Sequence, residues 1–321
     1  MKNKILIISG DPNSINSELI FKSWKKINKN LRRKIYILGN QKLLELQFKR
    51  LKYKIKLKKI NNLNEKIKEN YLKIIDIKLN FTKPFDVSKK AASEYVIRSL
   101  NLAHKYAVEK KIDCIINCPI DKNLLNKKKI GVTEFLASKC KTKKHSEVML
   151  IKSKKLSVTP LTTHIDIREI SKNISKIKIE NKVITIVNWF KNQLKIKPKI
   201  AILGLNPHNG EFRKNSEEKR IIIPSILKLK KLGINVEGPY VADTLFIKDY
   251  LKYDVIVGMY HDQVLAPFKT LFKYNAINIT LGLEYLRASP DHGTAKNLIG
   301  KNKANPLSII ECIKFMNKLS S

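Results

Sequence analysis

A chain of 321 residues, 43% of them hydrophobic, can bury a large core and is long enough for two lobes. Its 65 Lys and Arg against 27 Asp and Glu give a formal charge of +38, but the lysines are spread through almost every segment, with no basic stripe interleaved with aromatics and no nucleic-acid-reading motif. That pattern argues against a dedicated nucleic-acid function; no apolar run approaches the roughly 18 residues of a membrane span, and four cysteines without paired spacing (Cys114, Cys118, Cys140, Cys312) suit a reducing cytoplasm.

In chain order, the basic start leads into a short apolar strand, Ile5 to Ser9, rather than a targeting segment. Ser17 to Asn28 reads as a helix with Ile20, Trp24 and Ile27 on one face, and Lys34 to Leu38 as a strand ending at Gly39. A lysine-rich stretch of weak pattern follows. Ser88 to Lys110 places Ala92, Tyr95, Val96, Leu100, Ala103 and Ala107 at helical spacing, and Cys114 to Asn117 is a strand. Val148 to Ile151 and Leu156 to Leu161 flank Lys152-Ser153-Lys154-Lys155 as a hairpin. Then come a helix through Ile184 to Leu194, a strand over 199–203, a helix over 217–232, a strand over 234–237, a helix over 243–251 and a strand over 254–259. The alternation predicts an α/β protein of two α/β/α lobes with mixed, mainly parallel sheets.

His164, His208 and His261 each stand just beyond one of these apolar strands. Ligands of open α/β sheets bind beyond the carboxyl ends of strands. Two readings are open: three separately hydrogen-bonded strand-end histidines, or imidazoles that hold a divalent cation with positions left for substrate. A nicotinamide cofactor would be sought through Gly-x-Gly-x-x-Gly after the first strand, but the turn there is Ser9-Gly10-Asp11-Pro12-Asn13. The candidate dinucleotide loop is instead Asp291 to Pro306.

The stretch Tyr260-His261-Asp262-Gln263, then Asn278-Ile279-Thr280-Leu281-Gly282-Leu283, Arg287 and Asp291-His292-Gly293-Thr294-Ala295, closely resembles the 4-hydroxythreonine-4-phosphate dehydrogenase family of vitamin B6 biosynthesis. So do Thr162-Thr163-His164-Ile165, Gly204-Leu205-Asn206-Pro207-His208 with Gly210-Glu211, Gly238-Pro239 with Ala242-Asp243-Thr244, and Gly10-Asp11-Pro12 with Glu18. The likeness runs through nearly the whole chain.

The resemblance implies an isocitrate/isopropylmalate dehydrogenase-like fold with the active site in the interlobe cleft. The first lobe is expected over 1–129 plus 291–321 and the second, with metal and substrate residues, over 130–290. It implies a divalent metal (Zn, Mg or Co) on His164, His208 and His261, and substrate contacts from Thr133, Lys269, Asn278 and Arg287. The Asp291 to Pro306 loop, with His292, Gly293, Thr294, Ala295 and Asn305, is expected to hold the adenosine half of NAD, with NADP as the alternative. Asp243 and Asp262 are candidates for orienting the imidazoles, and no residue stands out as the general base. The implied reaction is oxidation of 4-phosphooxy-L-threonine at C3 followed by decarboxylation to 3-amino-2-oxopropyl phosphate. The partners implied are a small anionic phosphorylated substrate and a second copy of the chain, in a homodimer with a shared active site; neither membrane nor specific nucleic acid is expected.

Local departures bear on the substrate. Val132 stands where the family has a histidine before Thr133, Asn13 to Ser17 replaces a glycine-rich segment, and Phe212 to Ser216 replaces another, where Arg213 or Lys214 are possible electrostatic substitutes. A dehydrogenase of another four-carbon phosphorylated acid, threonate or erythronate phosphate, is therefore the alternative within enzymes. A basic, non-enzymatic polyanion-binding protein is the alternative outside them.

Overall fold

A computed structural model of the chain describes residues 3–125, 131–140, 146–273 and 275–320. The order begins β1 (Ile5–Ile8), α1 (Asn16–Lys26), α2 (Lys29–Lys34), β2 (Ile35–Gly39), α3 (Gln41–Arg50), β3 (Lys56–Lys59), β4 (Tyr71–Asp76), α4 (Lys89–Val108), β5 (Cys114–Asn117) and α5 (Val132–Ala137). It continues β6 (Val148–Lys152), β7 (Ser157–Thr162), α6 (Lys176–Trp189), β8 (Ile200–Leu203), α7 (Ile223–Lys231), β9 (Val236–Tyr240), α8 (Ala242–Lys248), β10 (Val255–Tyr260) and α9 (His261–Phe272). The last elements are β11 (Ile277–Leu281), β12 (Leu286–Pro290) and α10 (Leu307–Leu319).

The chain divides into two compact units, Met1–Lys141 with Leu283–Ser321, and Thr142–Gly282. In the first, the strand order is β3-β4-β2-β1-β5-β12 and each of these pairings is parallel. Parallel strands are covered on both faces, which is why β1, β2 and β5 are buried apolar runs. Leu6, Ile8, Tyr36 and Leu38 point to the face covered by α4, where Ala92, Tyr95, Val96, Leu100 and Ala103 recur at helical spacing. On the sheet, α10 packs against β12, β1 and β5.

In the second unit the order is β11-β6-β7-β10-β8-β9. Strand β6 runs antiparallel to both β11 and β7, and β7, β10, β8 and β9 are mutually parallel. This sheet is mixed, as the hairpin at 152–155 requires. One face carries α8 and α9, through Leu245, Phe246, Val264, Leu265 and Phe268.

The division differs from the expected one at both crossings. Helix α5 belongs to the first unit because Phe135 and Leu136 complete its core, and β12 belongs there because it pairs with β5, Arg287 opposite Ile115. Thr133 and Arg287 are therefore residues of the first unit, while Lys269 and Asn278 belong to the second. Among the described residues no helix is long and apolar enough to cross a membrane.

Candidate functional site

In the second unit, β7, β10 and β8 are adjacent and parallel, with Thr162 opposite Tyr260. Their carboxyl ends share one edge, so the chain leaves each strand there. His164 comes two residues after β7, and His261 directly after β10 as the first residue of α9. The two rings lie 5.8 Å apart between centroids, a spacing at which two imidazoles can ligate one cation. His261 Nδ1 lies 2.6 Å from Asp262 Oδ1. With that nitrogen donating to the carboxylate, Nε2 keeps its lone pair for a ligand. The donor set thus suits a divalent cation. Asp243 is exposed in the first turn of α8. Among the described residues, no three His, Cys, Asp or Glu side chains converge as a metal-ligating group, so within one chain His208 is not brought into a triad with the other two.

His208 sits on a turn after β8 in which His208, Asn209, Gly210 and Glu211 have φ of 49, 56, 58 and 50°. Left-handed backbone is costly for residues with a Cβ and persists where surroundings fix it. Glu218 holds the residues that lead into it: its Oε1 accepts from Leu205 N and Asn206 N, both at 2.8 Å, and its Oε2 from Asn206 Nδ2 at 3.0 Å. Burial alone would push this carboxyl up, but the bonds from Asn206 and Leu205 outweigh it and hold Glu218 below the usual carboxylate range. Arg213 Nε donates to Gly210 O at 3.1 Å, closing the same turn. Neither Glu218 nor Gln263 was singled out for a role by sequence; the one signal for Glu218 is an acidic pair, Glu217-Glu218, in a chain where acidic residues are scarce.

In the first unit, Arg287 on β12 is 2% exposed. Its Nε donates to Asn117 Oδ1 at 2.7 Å and its Nη1 to Thr133 Oγ1 at 3.2 Å. Burial pushes this guanidinium down to about 10, against a smaller upward pull from Cys312, Tyr285 and Glu134. A buried cation of this kind favours an anion in its surroundings. Thr133 and Arg287, each expected to contact substrate, are thus hydrogen-bonded to one another, and Asn117 joins them. Val132 packs against the apolar core of the first unit. In the second unit, Asn278 is half-buried on β11 opposite Ile151, and its Oδ1 is a buried acceptor with no hydrogen-bond partner among the described residues. Such an orphan suits a donor from a ligand. Lys269 is exposed in the last turn of α9.

The loop from Asp291 to Pro306 is irregular apart from a 3-10 turn over Lys296–Leu298. It is pinned by α1: Glu18 accepts from Ala304 N and from Lys22, while Lys22 Nζ donates to the carbonyls of Asn302 and Ala304. Thr294 O accepts from Ile15 N at 3.4 Å, His292 Nδ1 lies 3.1 Å from Gly293 O, and Asn305 Oδ1 accepts from Leu307 N. Ala295 takes φ 45° ahead of the 3-10 turn. A Cβ added at Gly293 would meet no atom of the described residues within 4 Å beyond its own chain neighbours, so none of them calls for glycine there, whereas a dinucleotide backbone passing close would. The replaced first turn is closed by side chains: Asn16 Nδ2 donates to Ser9 O and Pro119 O, and Asn13 Nδ2 to Val87 O.

Residues 30–316 match the model of the pyridoxal phosphate biosynthetic protein PdxA. The 4-hydroxythreonine-4-phosphate dehydrogenase of Sulfurihydrogenibium sp. (strain YO3AOP1) is 39% identical over 97% of this chain and 96% of its own length. The chain belongs to the PdxA family. The crystal structure of 4-hydroxythreonine-4-phosphate dehydrogenase from Klebsiella pneumoniae superposes with a TM-score of 0.86 at 28% identity, covering 99% of this chain and 100% of that one. The D-threonate 4-phosphate dehydrogenase of Salmonella typhimurium is also similar, 31% identical over 98% of both chains. Both readings of substrate made from the sequence therefore have named dehydrogenases among the relatives of this PdxA-family chain, and an oxidoreductase, not a polyanion-binding protein, is the class the family supports.

Proposed function

We propose that the chain oxidises 4-phosphooxy-L-threonine at C3 with NAD in the formation of pyridoxal phosphate. NAD, when bound, would supply the acceptor for the C3 hydride, and the hydroxyl proton would go to solvent. The resulting β-keto acid loses its carboxylate as carbon dioxide, the electrons of the breaking C–C bond moving into the ketone, and protonation gives 3-amino-2-oxopropyl phosphate. The observation that carries this reading is the buried Arg287 fork, held by Asn117 and Thr133, in a chain of the PdxA family.

In this reading Arg287 and Lys269 bind the anionic ends of the substrate and supply orientation. Thr133 Oγ1 fixes the guanidinium and stays within reach of a phosphate or carboxylate oxygen. Asn278 Oδ1 accepts from the substrate's ammonium or hydroxyl. His164, His208 and His261 would hold a divalent cation, with one of the three supplied by the second copy in a homodimer. Such a cation, when bound, lowers the pKa of the substrate hydroxyl and polarises the ketone. Asp262 keeps the His261 ring turned with Nε2 outward. The Asp291 to Pro306 loop, with the open backbone at Gly293, would hold the adenosine half of NAD.

A second reading, oxidation of D-threonate 4-phosphate, is favoured by Val132, which packs against the core where the resembled family has a histidine donor. Steady-state kinetics on both substrates separate the two. Preference for 4-phosphooxy-L-threonine, kept or raised by Val132→His, supports the first; preference for the threonate, reversed by Val132→His, overturns it.

A further inference from the structure

Glu218 is wholly buried, belongs to none of the groups assigned a part in the reaction, and accepts three hydrogen bonds from the two residues that lead into the His208 turn. The five residues His208 to Phe212 all have positive φ, between 49 and 58°. Four of them carry a Cβ, and each costs about 1–2 kcal/mol in that conformation. The turn is tied from its other side as well. Gln263 Nε2 donates to Gly204 O at 2.7 Å while its Oε1 accepts from Met259 N at 2.7 Å, and Asn209 Nδ2 donates to Pro239 O at 2.9 Å. Gln263 lies two residues after His261, so one amide links the helix that begins at His261 to the strand end that leads to His208. The space is filled: a Cβ on Gly204 would come within 3.1 Å of Glu218 Oε1, and one on Gly210 within 3.2 Å of Glu218 Oε2.

We propose that Glu218 is a positioning residue for the metal site: by fixing Leu205 and Asn206 it sets the turn that presents the His208 imidazole, without itself touching cation or substrate. The inference rests on the reading of His208 as a ligand. A carboxylate is suited to the task because it is acceptor-only, and all three groups that face it are donors. Glu218→Gln preserves the volume but turns an amide N–H₂ toward one of them.

The test is titration of the metal-free full-length protein with Co²⁺, read by its visible absorption, for the unaltered chain, His208→Ala and Glu218→Gln, with circular dichroism of each. Glu218→Gln should bind Co²⁺ at least about tenfold more weakly while its dichroism is unchanged, the effect expected of a group that orients a metal ligand. If His208→Ala weakens binding and Glu218→Gln binds as the unaltered chain does, the inference is overturned. If His208→Ala itself changes nothing, the reading of His208 as a ligand fails, whatever Glu218→Gln shows. Should Glu218→Gln not fold, Glu218→Asp is read in the same way: it keeps the charge and withdraws the oxygens by one methylene, and unchanged Co²⁺ affinity in that folded variant overturns the inference equally.

Discussion

Arg287 Nη1 donates to Thr133 Oγ1 at 3.2 Å, across 154 positions of sequence, while Nε of the same guanidinium donates to Asn117 Oδ1 at 2.7 Å. The two bonds fix the plane of the fork, so the ligand meets a guanidinium already oriented. A lysine at 287 keeps the charge and loses the plane. Arg287→Lys should therefore cost about 1 to 3 kcal/mol in kcat/KM for the phosphorylated substrate, the range of a charge-assisted hydrogen bond. Unchanged kcat and KM would remove Arg287 from the anion site.

Asp262 is 82% exposed, so its contact with His261 contributes little to stability. Its effect should fall on the metal. Asp262→Ala should leave the thermal midpoint nearly unmoved and weaken divalent-metal affinity about tenfold, since it frees the ring that the carboxylate orients. Isothermal titration of the metal-free protein measures this; equal affinity in the variant would make the contact a surface pair only.

Gly293 offers a similar separation. Beyond its own chain neighbours, no atom of the described residues lies within 4 Å of a Cβ built there, and its backbone is not left-handed, so Gly293→Leu should unfold at the same temperature as the parent. If NAD passes close to this backbone, its affinity should fall by tenfold or more. Equal NAD affinity in the two proteins would place the dinucleotide elsewhere.

Glu237 is held down to about 2 by the hydroxyls of Tyr253 and Tyr240 and by Lys199, against an ordinary 4.5. Its folded-state value lies below the unfolded one, so its stabilisation is complete above about pH 4.5 and is lost as pH falls from there toward about 2. Urea unfolding between pH 5 and pH 3 should show a shallower loss of stability for Glu237→Gln than for the parent. Parallel pH profiles would contradict the assignment.

The strands with unbroken apolar runs were legible in the sequence because burial on both sheet faces leaves one kind of residue: Cys114–Asn117 is where the pattern puts it, and the 148–161 hairpin forms with its turn at the lysines. Strands β3 and β4 and helix α3 fell in the lysine-rich stretch. β3 is an edge strand with Lys56, Lys58 and Lys59 turned to solvent, so it carries almost no apolar signal. The turn after β8 was opaque for another reason. Its conformation is set by Glu218, Gln263 and Asn209 through hydrogen bonds to backbone, and no periodicity reports such bonds. Arg287 and Thr133 were each marked by motif as substrate contacts, but the hydrogen bond between them was not legible, and Asn117, which completes the group, reads in sequence as the polar end of a strand.

The central claim is a metal-assisted, NAD-dependent oxidation with loss of carbon dioxide. It is tested most directly by following NADH and carbon dioxide together when 4-phosphooxy-L-threonine is added to the chelator-treated protein with NAD, before and after a divalent cation is restored. The account predicts neither product without the cation and equal amounts of both with it. Full NADH formation in the metal-free protein, or none from this substrate with the cation restored, would contradict it.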